Sequence, residues 1–164
     1  MSTNVDNSFA LQCKNNQGGV TEIYLFPFTQ LSRSAVEFNQ QLIDDFPDTD
    51  IVKYEVLGST FNESSKIAQG GVEWNQTVSF RAPRLTSLSE LYKLTLKDYC
   101  VIIRDRNGLY RMIGLWNGAT ANVTDTTGSS KNSFQGYNVT LTAKEDNQAY
   151  FITETRFNEF FTIL

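Results

Sequence analysis

What most restricts this chain is a period-two alternation of apolar and polar side chains, repeated in separate segments. In GVEWNQTVSF, Val72, Trp74, Val78 and Phe80 fall on one side, and Glu73, Asn75, Thr77 and Ser79 on the other. Gln76 is the one polar residue on the apolar side. In IVKYEV, Val52, Tyr54 and Val56 alternate with Lys53 and Glu55. Tyr137, Val139, Leu141 and Ala143 alternate with Asn138, Thr140, Thr142 and Lys144. Successive side chains of a strand point to opposite faces, so each segment predicts a strand with one buried face. GGVTEIYLFPF predicts another strand, carrying Val20, Ile23 and Leu25 and ended by Pro27. Tyr99–Arg104 is an apolar strand, and Asn107-Gly108 predicts a hairpin back into Leu109–Trp116 with φ > 0 at both turn positions.

One helix is predicted, over about 87–97. Ser87 and Glu90 are spaced as a capping box, and Leu88, Leu91 and Tyr92 share a face that Leu94 and Leu96 extend. Residues 28–50 fit two readings: a short helix on Leu31, Ala35, Phe38 and Leu42, or an irregular excursion ending in DDFPDTD. Segments 58–71 and 117–133 read as polar connections. The end of the chain, AYFITETRFNEFFTIL, reads as a strand that needs a partner, in its own domain or in a neighbouring copy. Strands follow one another without βαβ alternation. The expected fold is therefore mainly β: an antiparallel β-sandwich or barrel with one short flanking α-helix. It divides into an N-terminal arm at 1–19, a β-domain at 20–146 and a C-terminal strand or arm at 147–164. A chain of 164 residues can bury a core of that size without disulfides or metals.

The chemistry is sparse. The sequence has no histidine, which removes the commonest general base and every triad that relies on imidazole. Cys13 and Cys100 lack metal-site spacing, and Cys100 sits in an apolar run that suits a buried thiol. Asp44, Asp45, Asp48 and Asp50 lack the spacing and closing Glu of a calcium loop. Glu63, Glu73, Asp98 and Asp105 lie near predicted strand ends, but such carboxylate pairs can be drawn in most sequences. A net charge of −4 argues against binding that depends on neutralising phosphates. The same charge would let DNA pass a surface without sticking. No catalytic residue, cofactor or metal ligand is assigned, and no membrane span or secretory leader is read. The Asn-x-Ser/Thr matches at Asn62, Asn75, Asn122 and Asn138 then read as chance. Trp74 reads as core, whereas Trp116 reads as core, interface or sugar-stacking surface. Arg81, Arg84, Arg104, Arg106 and Arg111 cluster in sequence and suit pairing with acidic loops of a neighbour.

The order of these signals resembles a known group. QGGVTEIYLF leads to KYEVLGSTF and GGVEWNQTVSF, then to LSELYKL, the hairpin YCVIIRDRNGLYRMIGLWNG, the loop TTGSSKNS and the late strand FQGYNVTLTAKE. This is similar to small virion proteins of tailed bacteriophages, of the tail-tube-like kind in phages of Bacteroidetes-type hosts. The likeness covers about residues 17–146, is carried mostly by DRNGLYRMIGLWNGA and FQGYNVTLTAKE, and departs at 28–50 and 147–164. The resemblance implies a tail-tube or neck-ring subunit, assembled in the host cytoplasm. Six copies, or a multiple, close into a ring around a DNA channel and touch neighbouring tail, neck or portal proteins. It also implies DNA passage without sequence-specific binding. Capsid decoration, a baseplate role and a carbohydrate-binding module are the other readings. The expected contact regions are 1–19, 58–71, 117–133 and 147–164. Ile67, Trp116, Phe157, Phe160 and Phe161 are the candidate interface residues, with packing under the domain's own sheet the alternative for the phenylalanines.

Overall fold

A computed structural model describes residues 18–54, 57–83 and 88–164. Residues 1–17 of the expected arm, the helix-capping Ser87, and Cys13, Val56 and Arg84 lie outside the described residues. The strands are β1 (Val20–Pro27), β2 (Glu37–Asn39), β3 (Leu42–Asp45), β4 (Thr49–Tyr54), β5 (Leu57–Ala68) and β6 (Gly71–Pro83). They continue with β7 (Tyr99–Asp105), β8 (Tyr110–Ile113), β9 (Ala119–Thr126), β10 (Gly136–Glu145), β11 (Tyr150–Ile152) and β12 (Phe161–Ile163). Helix α1 (Leu88–Lys93) lies between β6 and β7, and α2 (Glu154–Phe160) between β11 and β12. The chain is mainly β, as the alternation predicts.

Six strands close a barrel. β1, β5, β6, β10, β9 and β7 follow one another, and β7 pairs back onto β1. Ile23, Leu25, Val78, Phe80, Val101, Ile103, Val139 and Leu141 fill the interior, and Leu91 and Leu94 join them from α1 and the turn after it. Burying such a side chain contributes roughly 1.5–3 kcal/mol. The other face of the β1–β7 pair is buried too. Tyr24, Phe26, Cys100 and Ile102 belong to a second core with Ile43, Phe46, Ile51, Met112, Ile152 and Phe157. β1 and β7 thus form a wall between two cores, which explains why both read as nearly continuous apolar runs. Beyond β8 the sheet continues through β11, β3 and β2, while β12 lies parallel to β4.

Several expectations need correction. Residues 58–71 are not a loop: most of them form β5, paired with β6 from Leu57↔Arg81 to Ala68↔Gly71. Solvent reaches most of β5, so few of its positions select an apolar residue. Residues 119–126 of the expected 117–133 loop are β9, whose inward positions carry only Ala119, Ala121 and Val123. The 28–50 stretch holds a single 3-10 turn at Arg33–Ala35 and the β2–β3 hairpin, with Gln40 left-handed at φ 58°. In β4, Val52 is exposed and Ile51 is buried in the second core, against expectation, while Tyr54 packs on the barrel core as expected. In α1, Leu91 is buried but Tyr92 is exposed, as is Leu96 beyond the helix. In the β7–β8 turn only Gly108 has positive φ, at 83°. Asp105 Oδ1 accepts the N–H groups of Asn107 (2.8 Å) and Leu109 (3.0 Å), and Gly108 N–H donates to the Asp105 carbonyl. This is the geometry of a turn followed by a glycine bulge rather than a two-residue loop.

The C-terminal segment departs most from expectation. It is a short strand, a helix and a second short strand, all packed on the chain's own second core. Thr153 caps α2 by accepting the Arg156 N–H, and Glu154 stands in the first turn. Phe157, Phe160 and Phe161 follow at helical spacing and are buried together. The single flanking helix of the expectation is therefore joined by a second.

Candidate assembly surface

The described residues offer no group of three or more acidic or cysteine side chains placed to hold a metal ion. No described helix is long and apolar enough to cross a membrane. Cys100 is buried at a thiol pKa pushed up to about 12 by desolvation first and the Glu145 charge second. It donates to the Gly114 carbonyl, so it is a packed thiol rather than a nucleophile.

Four of the five candidate interface residues are internal. Phe157 stacks on Tyr110 with ring centroids 4.2 Å apart, and also meets Tyr24 and Phe161. Phe160 and Phe161 are buried beside it. Trp116 is 9 % exposed. Its Nε1–H donates to the Tyr150 hydroxyl (3.2 Å), Arg33 lies over its ring at 4.6 Å, and Phe38 meets it edge-on. A covered ring offers no platform for a sugar. The physical reason is shared: β2, β3, β11 and α2 form a lid of secondary structure that the alternation did not reveal, and the lid uses these aromatics as its underside. Ile67 alone is at the surface, 91 % exposed near the end of the β5–β6 hairpin.

That hairpin is the most distinctive surface element. β5 meets β1 only at Ser59↔Val20, then runs on. From Thr60 to Ala68 its pairing with β6 is the only ladder among the described residues. Its other edge carries backbone N–H and C=O groups with no neighbouring strand among the described residues. The nine residues of that edge, Thr60–Ala68, span about 30 Å. The edge contains no proline, and its one lysine, Lys66, is drawn across the hairpin to Glu73 at 3.3 Å. Such an edge is a template for another chain.

The hairpin is held at its middle by a polar seam. Gln76, 1 % exposed, is the polar residue on β6's apolar face. Its Nε2 donates to Glu63 Oε2 (3.1 Å) and to the Asn147 carbonyl (3.2 Å), and its Oε1 accepts the Gly114 N–H. Glu63 also accepts the Ala149 N–H at 2.7 Å. Glu145, 4 % exposed, continues the inward face of β10. Its Oε1 accepts the N–H groups of Trp116 (3.1 Å) and Asn117 (3.0 Å). Burial raises its pKa, and the two backbone donors pull it partly back. The seam thus joins the hairpin, the 114–118 loop and the 145–149 turn. The sequence signal was Gln76 itself, a polar residue where the pattern called for an apolar one.

No family model, curated protein or solved structure matches this chain. The functional reading therefore rests on the edge and the seam.

Proposed function

We propose that this chain is a structural subunit of a tailed-bacteriophage virion, a tail-tube or neck-ring protein whose copies join around the channel that DNA passes. The observation that carries the proposal is the outer edge of β5 from Thr60 to Ala68, which no strand among the described residues pairs, with Ile67 exposed near its end. An open edge of this length is a liability for a monomer and an asset for a chain that pairs with others. The polar seam supports the same reading, because it fixes the hairpin's direction and so gives every copy the same edge to offer. The acidic balance suits a surface that DNA slides past. Resemblance in the order of strands, turns and loops supplies the virion identity, and in that setting the protein belongs to the particle and assembles in the host cytoplasm.

The test is mass determination by light scattering across a concentration series, with negative-stain imaging of the same sample. Rings or tubes with a central hole are expected, and their symmetry fixes the copy number. A different closed symmetry without a channel would move the protein to a decoration or baseplate role. A monomer at every concentration, with no polymer when virion partners are added, would overturn the proposal.

A further inference from the structure

Where β5 leaves β1, it opens a cleft of about 360 Å³ between its free edge and the β7–β8 turn, lined by Gly19, Thr60, Phe61, Asn62, Asn107 and Arg111. Arg111 is the notable group there. Its guanidinium carbon lies 5.0 Å from the Phe151 ring centroid and 5.5 Å from that of Phe61. Its Nε is buried and has no hydrogen-bond partner. Its ion pair among the described residues is with Asp105, with Nη2 at 3.9 Å from Oδ2, beyond hydrogen-bond reach. The other Asp105 oxygen is engaged by two backbone N–H groups of the turn. A guanidinium presents a rigid fork of five donors that fits a carboxylate. With Nε buried, the Nη groups are the donors an incoming carboxylate would meet, and neither has a side-chain hydrogen bond among the described residues.

The same chain carries the complementary charge elsewhere. Around the β3–β4 turn, Asp44 is paired with Arg156. Asp45, Asp48 and Asp50 are exposed, and none has an ion pair or hydrogen-bonded side-chain partner among the described residues. We infer that the Arg111 cleft receives the carboxylates of the β3–β4 turn of a second copy, Asp48 foremost. This rests on the assembly reading above and gives it a direction: a cleft on one copy and a turn on the next make a head-to-tail contact, which closes into a ring or continues as a filament. The contact places the incoming turn against β5, so the free edge and the charge pair act together.

The test uses three forms of the full chain: wild type, Arg111→Glu, and Asp48→Lys with Asp50→Lys. Far-UV circular dichroism first confirms that each folds. Sedimentation velocity then gives the concentration for half-assembly. Each reversed form is expected to need about tenfold or more protein, since removing one side of a close charge pair at an interface weakens it strongly. An equimolar mixture of the two reversed forms is expected to recover the assembly that neither makes alone, because each form's cleft then meets a turn of opposite charge. The lysine variant is changed only at exposed positions, so its result stands even if Arg111→Glu fails to fold. If wild type assembles and the lysine variant assembles equally well, the cleft contact is overturned while the assembly reading stands. If wild type never assembles, both fall.

Discussion

Glu145 and Trp116 are joined by a hydrogen bond that ends one strand on another's loop: the carboxylate of β10 accepts the Trp116 backbone N–H at 3.1 Å. The same oxygen takes the Asn117 N–H, and no described cation forms an ion pair with it. The carboxylate is held in a buried place by backbone dipoles, and its raised pKa reflects that burial.

Stability should therefore fall as pH rises through the raised Glu145 pKa. Between the ordinary carboxyl pKa of the unfolded chain and the raised native one, the folded state binds more protons, so the slope is negative there and flat above. Glu145→Gln keeps an acceptor for both N–H groups and should remove that component of the slope. Glu145→Ala leaves the buried Trp116 N–H and the part-buried Asn117 N–H without this acceptor and should cost about 1–3 kcal/mol. Urea unfolding of all three proteins from pH 4.5 to 8 measures both effects. An unchanged slope in Glu145→Gln would assign the pH dependence elsewhere.

Gly118→Ala should destabilise by roughly 1–3 kcal/mol. Gly118 has φ +78°, and a Cβ there would stand 2.9 Å from Asp98 Cβ and 3.0 Å from Phe28 Cγ. Thermal unfolding reads the loss. Gly128→Ala gives no such contrast, because Ser133 and Phe134 crowd that site as well.

Phe157→Ala and Ile67→Asp should separate folding from assembly. The first empties a site among Tyr24, Tyr110 and Phe161 and should cost about 3–5 kcal/mol. The second changes a 91 %-exposed side chain and should leave the unfolding midpoint within about 0.5 kcal/mol of wild type. Its effect is expected in sedimentation instead, as a shift toward smaller species. Denaturation and sedimentation on the same preparations check the pair, and a large stability loss in Ile67→Asp would contradict the described exposure.

Cys100 should resist modification until the barrel opens. In a Cys13→Ser background, a thiol reagent at pH 8 should react with native protein far more slowly than with protein in 6 M guanidinium, because the buried thiol's pKa is raised to about 12. Fast reaction in the native state would show that the β1–β7 wall breathes.

The barrel was legible wherever one face is buried and the other wet, as along β10, where Tyr137, Val139, Leu141 and Ala143 all point inward. It was not legible in β9, where alanines stand in for larger apolar residues, or in β5, most of which faces solvent. In α2 the signals were present: a Thr153 cap, then Phe157, Phe160 and Phe161 at three- and four-residue spacing. A strand reading hid them because Phe151 and Ile152 just before are strand residues. Of the five candidate interface residues, only Ile67 is exposed. The other aromatics looked surplus because the lid they sit under is made of three- and four-residue strands, too short to show a period.

The wall shared by two cores also sets how the molecule comes apart. Ile23 and Tyr24 are neighbours in sequence yet face different cores, so no opening can expose one core and leave β1 paired for the other. The two halves should therefore unfold as a single cooperative unit. Amides of Ile23–Phe26 and Cys100–Ile103 should exchange with solvent only through global unfolding, while those on the outer edge of β5 should exchange far faster in the isolated chain.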